Sequence, residues 1–263
     1  MTAMRLHRYP SPSGGLALGK MGVGATMLKQ GKTARDYVQN GLVAMWDGIE
    51  NAGWGVHDPN ATTWANLLDP DHPLTGNNIV FAGKGTRIPT VCTYTNLDIQ
   101  SMWNNGFSLE FVVSFLGVTG VAVGAIFTIL KLYGSTPSYL AIDIEGAWTS
   151  SLSTVGFNTA RVRIGGAAPI SLDKTNPQPR VTTVCVTSAA QSKQYLDGLG
   201  YASYNAATSN IYVPANNNLM FGGSSGWASN NCMLNAVRFY SRALTADEIA
   251  RNYAIDKERF NLP

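Results

Sequence analysis

LNAVRFYSRALTADEIARNY, residues 234–253, decides how the rest of the chain reads. Its first part alternates. Val237 and Phe239 fall on one face of an extended segment, Arg238 and Tyr240 on the other, which is the pattern of a half-buried strand. The period then changes. Thr245 stands three residues before Glu248, a capping box, while Leu244 and Ile249 are placed as a hydrophobic staple. A short helix is therefore predicted from near Ala246, with Ile249 and Tyr253 on one stripe. Strand, tight "SRALT" turn and capped helix form one unit near the C-terminus.

Working upstream, "NLMFGGSSGW" (218–227) and "RVTTVCVTSAAQSKQYLDGLGYASY" (180–204) read as further strands, the second containing an Asp197-Gly198 hairpin turn. "FSLEFVVSF" (107–115) alternates Phe107, Leu109, Phe111 and Val113 with Ser108, Glu110, Val112 and Ser114. "AIFTILKLY", "YLAIDIEG" and "ARVRIGG" follow it at the spacing of a multi-stranded sandwich. "GLVAMWDG" is apolar on both faces and reads as a buried strand.

These blocks resemble the laminin-G-like modules of the concanavalin A-like superfamily. Val237, Arg238, Tyr240, Arg242, Ala243, Leu244, Glu248 and Ile249 match that family's closing strand and helix. Tyr195, Leu196, Asp197 and Gly198 resemble its "Y-V-D-G" hairpin, and Trp64, Asn66 and Leu67 its "W-x-D-L-x-G" loop. The resemblance spans about residues 41–256 in the family's order. It implies an all-β fold: an antiparallel jelly-roll β-sandwich with an extended N-terminal arm and a short C-terminal helix. Residues 41–263 would form the sandwich.

Composition narrows the class. The chain has 263 residues, 45% hydrophobic and only 13% charged, below the usual quarter. Its polar surface must be built from Asn, Ser, Thr and Gly, as suits extracellular, glycan-facing or particle-bound proteins. A net charge of +3 requires no polyanionic partner. Cys92, Cys185 and Cys232 all sit in strand-like contexts and read as reduced, buried small hydrophobes. No uninterrupted apolar run suggests a signal peptide, and none approaches the length of a membrane span.

Residues 1–40 differ from the rest. Arg5, Arg8, Lys20, Lys29, Lys32 and Arg35 face only Asp36, and no periodicity persists. This segment reads either as a flexible basic tail or as an arm that docks onto a larger assembly. Nucleic-acid binding is not expected, because aromatic interleaving and a dense basic cluster are missing.

Several constellations could carry chemistry. Asp143 and Glu145 project to one face of a predicted strand, about 6.5–7 Å apart. The glucanases of the wider superfamily, which this chain resembles, carry E-x-D-x-x-E. Here Ala141 stands at the first glutamate position, so catalysis is not expected from this pair. Asp58, Asp69 and Asp71 lie in a loop-rich stretch and could hold Ca²⁺, as the resemblance to laminin-G modules implies. "HDPN" and "DPDHP" are equally turn signals. No cofactor is required by this reading.

Trp54, Trp148 and Trp227 sit beside small residues in predicted loops, where a ring could stack on a sugar. Asn230 and Asn231 would add hydrogen bonds near Trp227. The alternative is that each ring covers an end of the core. Together these features predict a non-enzymatic display protein: a phage virion component such as a capsid decoration, head fibre or tail protein. It would be a homo-oligomer or present in many copies, joined to its assembly through residues 1–40, and adhere to surface glycans. The alternative is a carbohydrate-binding protein of a bacterial surface or secreted medium, and less readily a glycoside hydrolase.

Overall fold

The structure, a computed structural model, describes residues 31–76, 78–87, 92–98, 102, 106–115, 126–128, 130–132, 143–147, 159–163, 170–171, 180–188, 191–205, 219–221 and 232–262. The strands are β1 Leu42–Asp47, β2 Thr63–Trp64, β3 Leu74–Thr75, β4 Val80–Ala82, β5 Gly85–Arg87, β6 Cys92–Tyr94 and β7 Phe107–Phe115. There follow β8 Ile126–Thr128, β9 Leu130–Leu132, β10 Asp143–Ala147, β11 Thr159–Arg163, β12 Ile170–Ser171 and β13 Arg180–Ser188. The last four are β14 Gln191–Leu196, β15 Leu199–Asn205, β16 Leu219–Phe221 and β17 Cys232–Tyr240, before helix α1, Ala246–Phe260.

Eight strands form the main sheet in the order β15-β14-β13-β7-β17-β5-β4, with β1 also pairing with β17. A smaller sheet runs β6-β16-β9, another β12-β11-β10-β8, and β2 pairs with β3. Each of these pairings is antiparallel, so the chain is an all-β sandwich with a C-terminal helix. The hairpin turn falls where the sequence places it. Leu196 pairs with Leu199, and Asp197 and Gly198 both take positive φ, 49° and 77°, as a two-residue type I′ turn requires.

One core fills the space between the main sheet and the small β6-β16-β9 sheet. Trp46, Trp64, Phe107, Leu109, Phe111, Phe221, Val237 and Phe239 are buried there. Trp46 meets Tyr94 and Phe221 edge-on at 4.8 and 5.0 Å. Burial of each such ring contributes roughly 1.5–3 kcal/mol. Cys92 is buried in the same core.

The opposite face of the main sheet is also covered, and here the structure corrects the half-buried reading. Ser108 and Glu110 of β7 and Arg238 and Tyr240 of β17 are all buried, because α1 and residues 31–40 pack over them. Ala34, Tyr37 and Val38, from the segment grouped with the basic arm, join Met45, Tyr240, Leu244, Ile249 and Ile255 in this second core. The helix begins as predicted. Thr245 Oγ1 accepts the Glu248 N–H and the Glu248 carboxylate accepts the Thr245 N–H. It runs 15 residues rather than the short helix expected, and ends on Asn261 in the left-handed region.

Polar groups buried beneath the helix are paired with one another. Arg238 donates to Glu110 at 2.9 Å and bidentately to Asp256 at 2.9 and 2.6 Å. Arg259 bridges both oxygens of Asp47 at 2.6 and 3.0 Å and reaches Glu50 at 2.9 Å. Tyr37 joins the two halves: its hydroxyl donates to Asp256 at 2.6 Å, and the Arg238 guanidinium lies 4.0 Å from its ring centroid. Burial pushes the Glu110 carboxyl upward despite Arg238, and pushes the Tyr37 phenol well up.

A loop platform as candidate functional site

The loop that leaves β1 is held rigidly by its own polar groups. Asp47 Oδ1 accepts the N–H groups of Ile49 and Glu50, both at 2.9 Å. Glu50 Oε2 accepts the Gly55 N–H at 2.8 Å, while Asn51 and Asp58 exchange hydrogen bonds at 2.7 and 2.8 Å. Ala52 and Val56 close the tip. Trp54 sits on this loop, partly buried against the second core. The guanidinium of Arg35 lies 4.3 Å above its ring. Arg35 itself is placed by the short 3₁₀ turn Ala34–Asp36, capped by Thr33 and anchored by buried Ala34. Val56, two residues after Trp54, is 51% exposed.

A second polar cluster lies on the loop after β2. Asp69 accepts from His72 Nδ1 at 2.9 Å, from Asn96 at 2.7 Å and from the Tyr94 hydroxyl at 3.3 Å. Tyr94 in turn accepts from buried Asn66, whose amide oxygen takes the Met45 N–H. The His72 contact, foremost, holds the Asp69 carboxyl below its ordinary range, and Asp69 raises the His72 imidazole.

The structure thus brings Trp54 together with Arg35, which in the sequence stands only as one charge of the basic arm. The signal was available: Thr33 and Asp36 are spaced as a capping box, which fixes the residue between them. Asp58 caps its own turn by accepting the Asn60 N–H. Asp69 serves the cluster above, and Asp71 is exposed. Among the described residues, no three His, Cys, Asp or Glu side chains are gathered for a metal ion. Asp143 and Glu145 lie on β10 opposite Arg163 and Arg161 of β11. Trp148, Trp227, Asn230 and Asn231 lie outside the described residues.

No family model and no curated protein matches this sequence. Solved structures do match its fold. Trypanosoma rangeli sialidase superposes with a TM-score of 0.58 at 15% identity, over 82% of this chain and 33% of the sialidase. The binding domain of Paraclostridial Mosquitocidal Protein 1 gives 0.55 at 14% identity, over 81% of this chain and 52% of that one. The botulinum neurotoxin serotype D binding domain gives 0.51 at 11%, over 81% and 51%. At such identities the likeness establishes a shared β-sandwich, and the chain spans about a third of the sialidases' length.

These matches correct the expectation of a non-enzymatic virion display protein. The similar structures are sialidases, which are enzymes, and toxin binding domains, and they lend a phage structural role no support. The broken E-x-D-x-x-E pattern argued only against one glucanase arrangement and carried no weight against other glycoside chemistry. No helix among the described residues is long and apolar enough to cross a membrane.

Proposed function

We propose that this chain is a lectin-like sandwich that recognises carbohydrate, a module of the laminin-G type. The observation that carries the reading is the Arg35–Trp54 platform on a hydrogen-bonded loop, set on a sandwich of the kind found in a sialidase. Sugar recognition needs an apolar patch for C–H faces and fixed polar groups for hydroxyls, without loop ordering at the moment of binding. Val56 and the partly buried Trp54 supply the first, and the Arg35 guanidinium, held over the Trp54 ring, the second. The Asp69–Asn96–His72 cluster holds a carboxylate, an amide and an imidazole together on the loops after β2 and β6. Trp227, with Asn230 and Asn231, remains a proposed second contact.

Binding through one platform would be weak, roughly millimolar to micromolar, and display in several copies would strengthen it by avidity. The test is a glycan array probed with the full chain, clustered on a bead, with and without Ca²⁺. Retention of one glycan class, lost in Trp54→Ala, supports the reading. Absence of any binding overturns it. A parallel assay follows release of free sugar from a fluorogenic sialoside; turnover would move the reading from recognition to hydrolysis.

A further inference from the structure

We propose that Arg35, held over Trp54, is the receptor for the carboxylate of an acidic sugar. The proposal rests on the glycan-recognition reading and names the class of sugar that this platform selects.

Arg35 is exposed, and among the described residues its guanidinium has no hydrogen bond and no ion pair; its neighbour is the Trp54 ring at 4.3 Å. The nearby carboxylates are committed elsewhere. Asp36 accepts from the Thr33 N–H at 2.7 Å and the Thr33 hydroxyl at 3.1 Å, and pairs with Lys32 at 3.8 Å. Glu50 accepts from the Ala34 N–H at 2.6 Å, Arg259 at 2.9 Å and the Gly55 N–H at 2.8 Å. A planar fork of five donors with no acceptor is therefore held by a ring face and by a capped turn, with its hydrogen-bonding edge unspent. The cation–π contact restrains the long side chain, so less rotamer freedom is lost when an anion binds.

Approach to the platform is open. Gly53 and Gly55, on either side of Trp54, take φ of 144° and 71°, and a Cβ built at either position would touch nothing within 4 Å. Exposed Val56 lies beside them in sequence, an apolar surface for a pyranose ring. The geometry favours carboxylate over a sulfated chain. Lys32 is paired with Asp36, and Arg251 donates to the Asp36 carbonyl at 3.0 Å, so among the described residues one uncommitted fork faces solvent here rather than a row of cations. One fork matches one planar carboxylate bidentately.

The experiment is titration of the full chain with sialyllactose and with a uronate-terminated disaccharide. The carboxyl-reduced form of each, neutral lactose and a sulfated lactose serve as comparisons, and Arg35→Ala and Arg35→Lys as variants. Because Arg35 is exposed, circular dichroism should show both variants folded. Charge-assisted hydrogen bonds of this kind correspond to about tenfold to a hundredfold in affinity. A carboxylated probe should bind wild-type chain, weaken by that factor on carboxyl reduction, and weaken similarly in Arg35→Ala. Arg35→Lys, which keeps charge but not the fork, should recover only part of the loss. Equal binding of the carboxyl-reduced or sulfated probe, or unchanged binding in Arg35→Ala, overturns the proposal. Binding of neutral sugars alone overturns it while leaving the glycan reading standing. If no sugar of the panel binds, both fall together.

Discussion

Two sets of charges on this molecule use the same functional groups to opposite effect. Beneath α1, Arg238, Glu110 and Asp256 are at most 1% exposed and fixed by direct hydrogen bonds. On the loop after β2, Asp69 and His72 form a contact as short, 2.9 Å, but their side chains are 31% and 59% exposed. Distance does not separate the two; solvent does. Water screens the loop pair and supplies substitute partners, so the pair adds little to stability. Under the helix water offers no such substitute, and removing one member strands the others.

The largest expected effect follows directly. Arg238→Ala leaves Glu110 and Asp256 buried without their shared cation, and should lower unfolding free energy by about 3–5 kcal/mol in urea titration. A triple variant that combines Arg238→Met, Glu110→Leu and Asp256→Leu sharpens the comparison: it removes the buried ion set together, so the cost that remains measures the hydrogen bonds that the Tyr37 hydroxyl and the Asn252 amide lose. A cost under about 1 kcal/mol for the single change would mean that water reaches the network, and the contrast between the two regions would disappear.

Between these extremes stands the start of α1, where burial and exposure meet. Leu244 is 5% exposed and belongs to the second core, so Leu244→Ala should cost about 2–4 kcal/mol. Thr245, next to it, is exposed and contributes only its cap; Thr245→Ala should cost about 1 kcal/mol. Thermal melts of the two variants should differ in that order. Glu248 completes this cap and pairs with Arg242, which foremost holds its carboxyl down to about 2. A depressed carboxyl stabilises the folded state above its ordinary 4.5, and that part is lost as pH falls through about 2.

What was legible in the sequence divides along the same line. The cap at Thr245, the Asp197-Gly198 turn and the strand Phe107–Phe115 are local patterns, and each is found where its residues predict. The burial of Arg238 was not legible. Alternation places it opposite Val237 but cannot say that a helix covers its face, since its partner Glu110 lies 128 residues away. Tyr37 was missed for the same reason: it looks like part of a basic arm until Asp256, 219 residues on, accepts its hydroxyl. The platform was half legible. Trp54 is marked in the sequence by its small neighbours, whereas Arg35 becomes its partner only through a contact between separate segments.

The smallest expected effect tests the exposed side of the comparison through pH. Asp69 lies below its ordinary 3.8 because it accepts from His72 first, then from Asn96 and Tyr94. His72 lies above its ordinary 6.5 because of that same hydrogen bond, with Asp69 and then Asp71 adding charge attraction. The two shifts act in opposite directions. A raised imidazole stabilises the fold fully below 6.5, and its contribution disappears as pH rises through the folded value. A depressed carboxyl stabilises above 3.8, and its contribution disappears as pH falls through the folded value. The pair therefore acts only in mildly acidic solution, between those limits. Melting temperatures of wild-type chain and His72→Ala should differ slightly near about pH 5, converge toward about pH 9, and differ less still when salt is raised at the lower pH. A difference that persists unchanged in alkaline solution and in high salt would show His72 to be held by packing rather than by its charge, and the exposed cluster would then belong with the buried network instead of opposite to it.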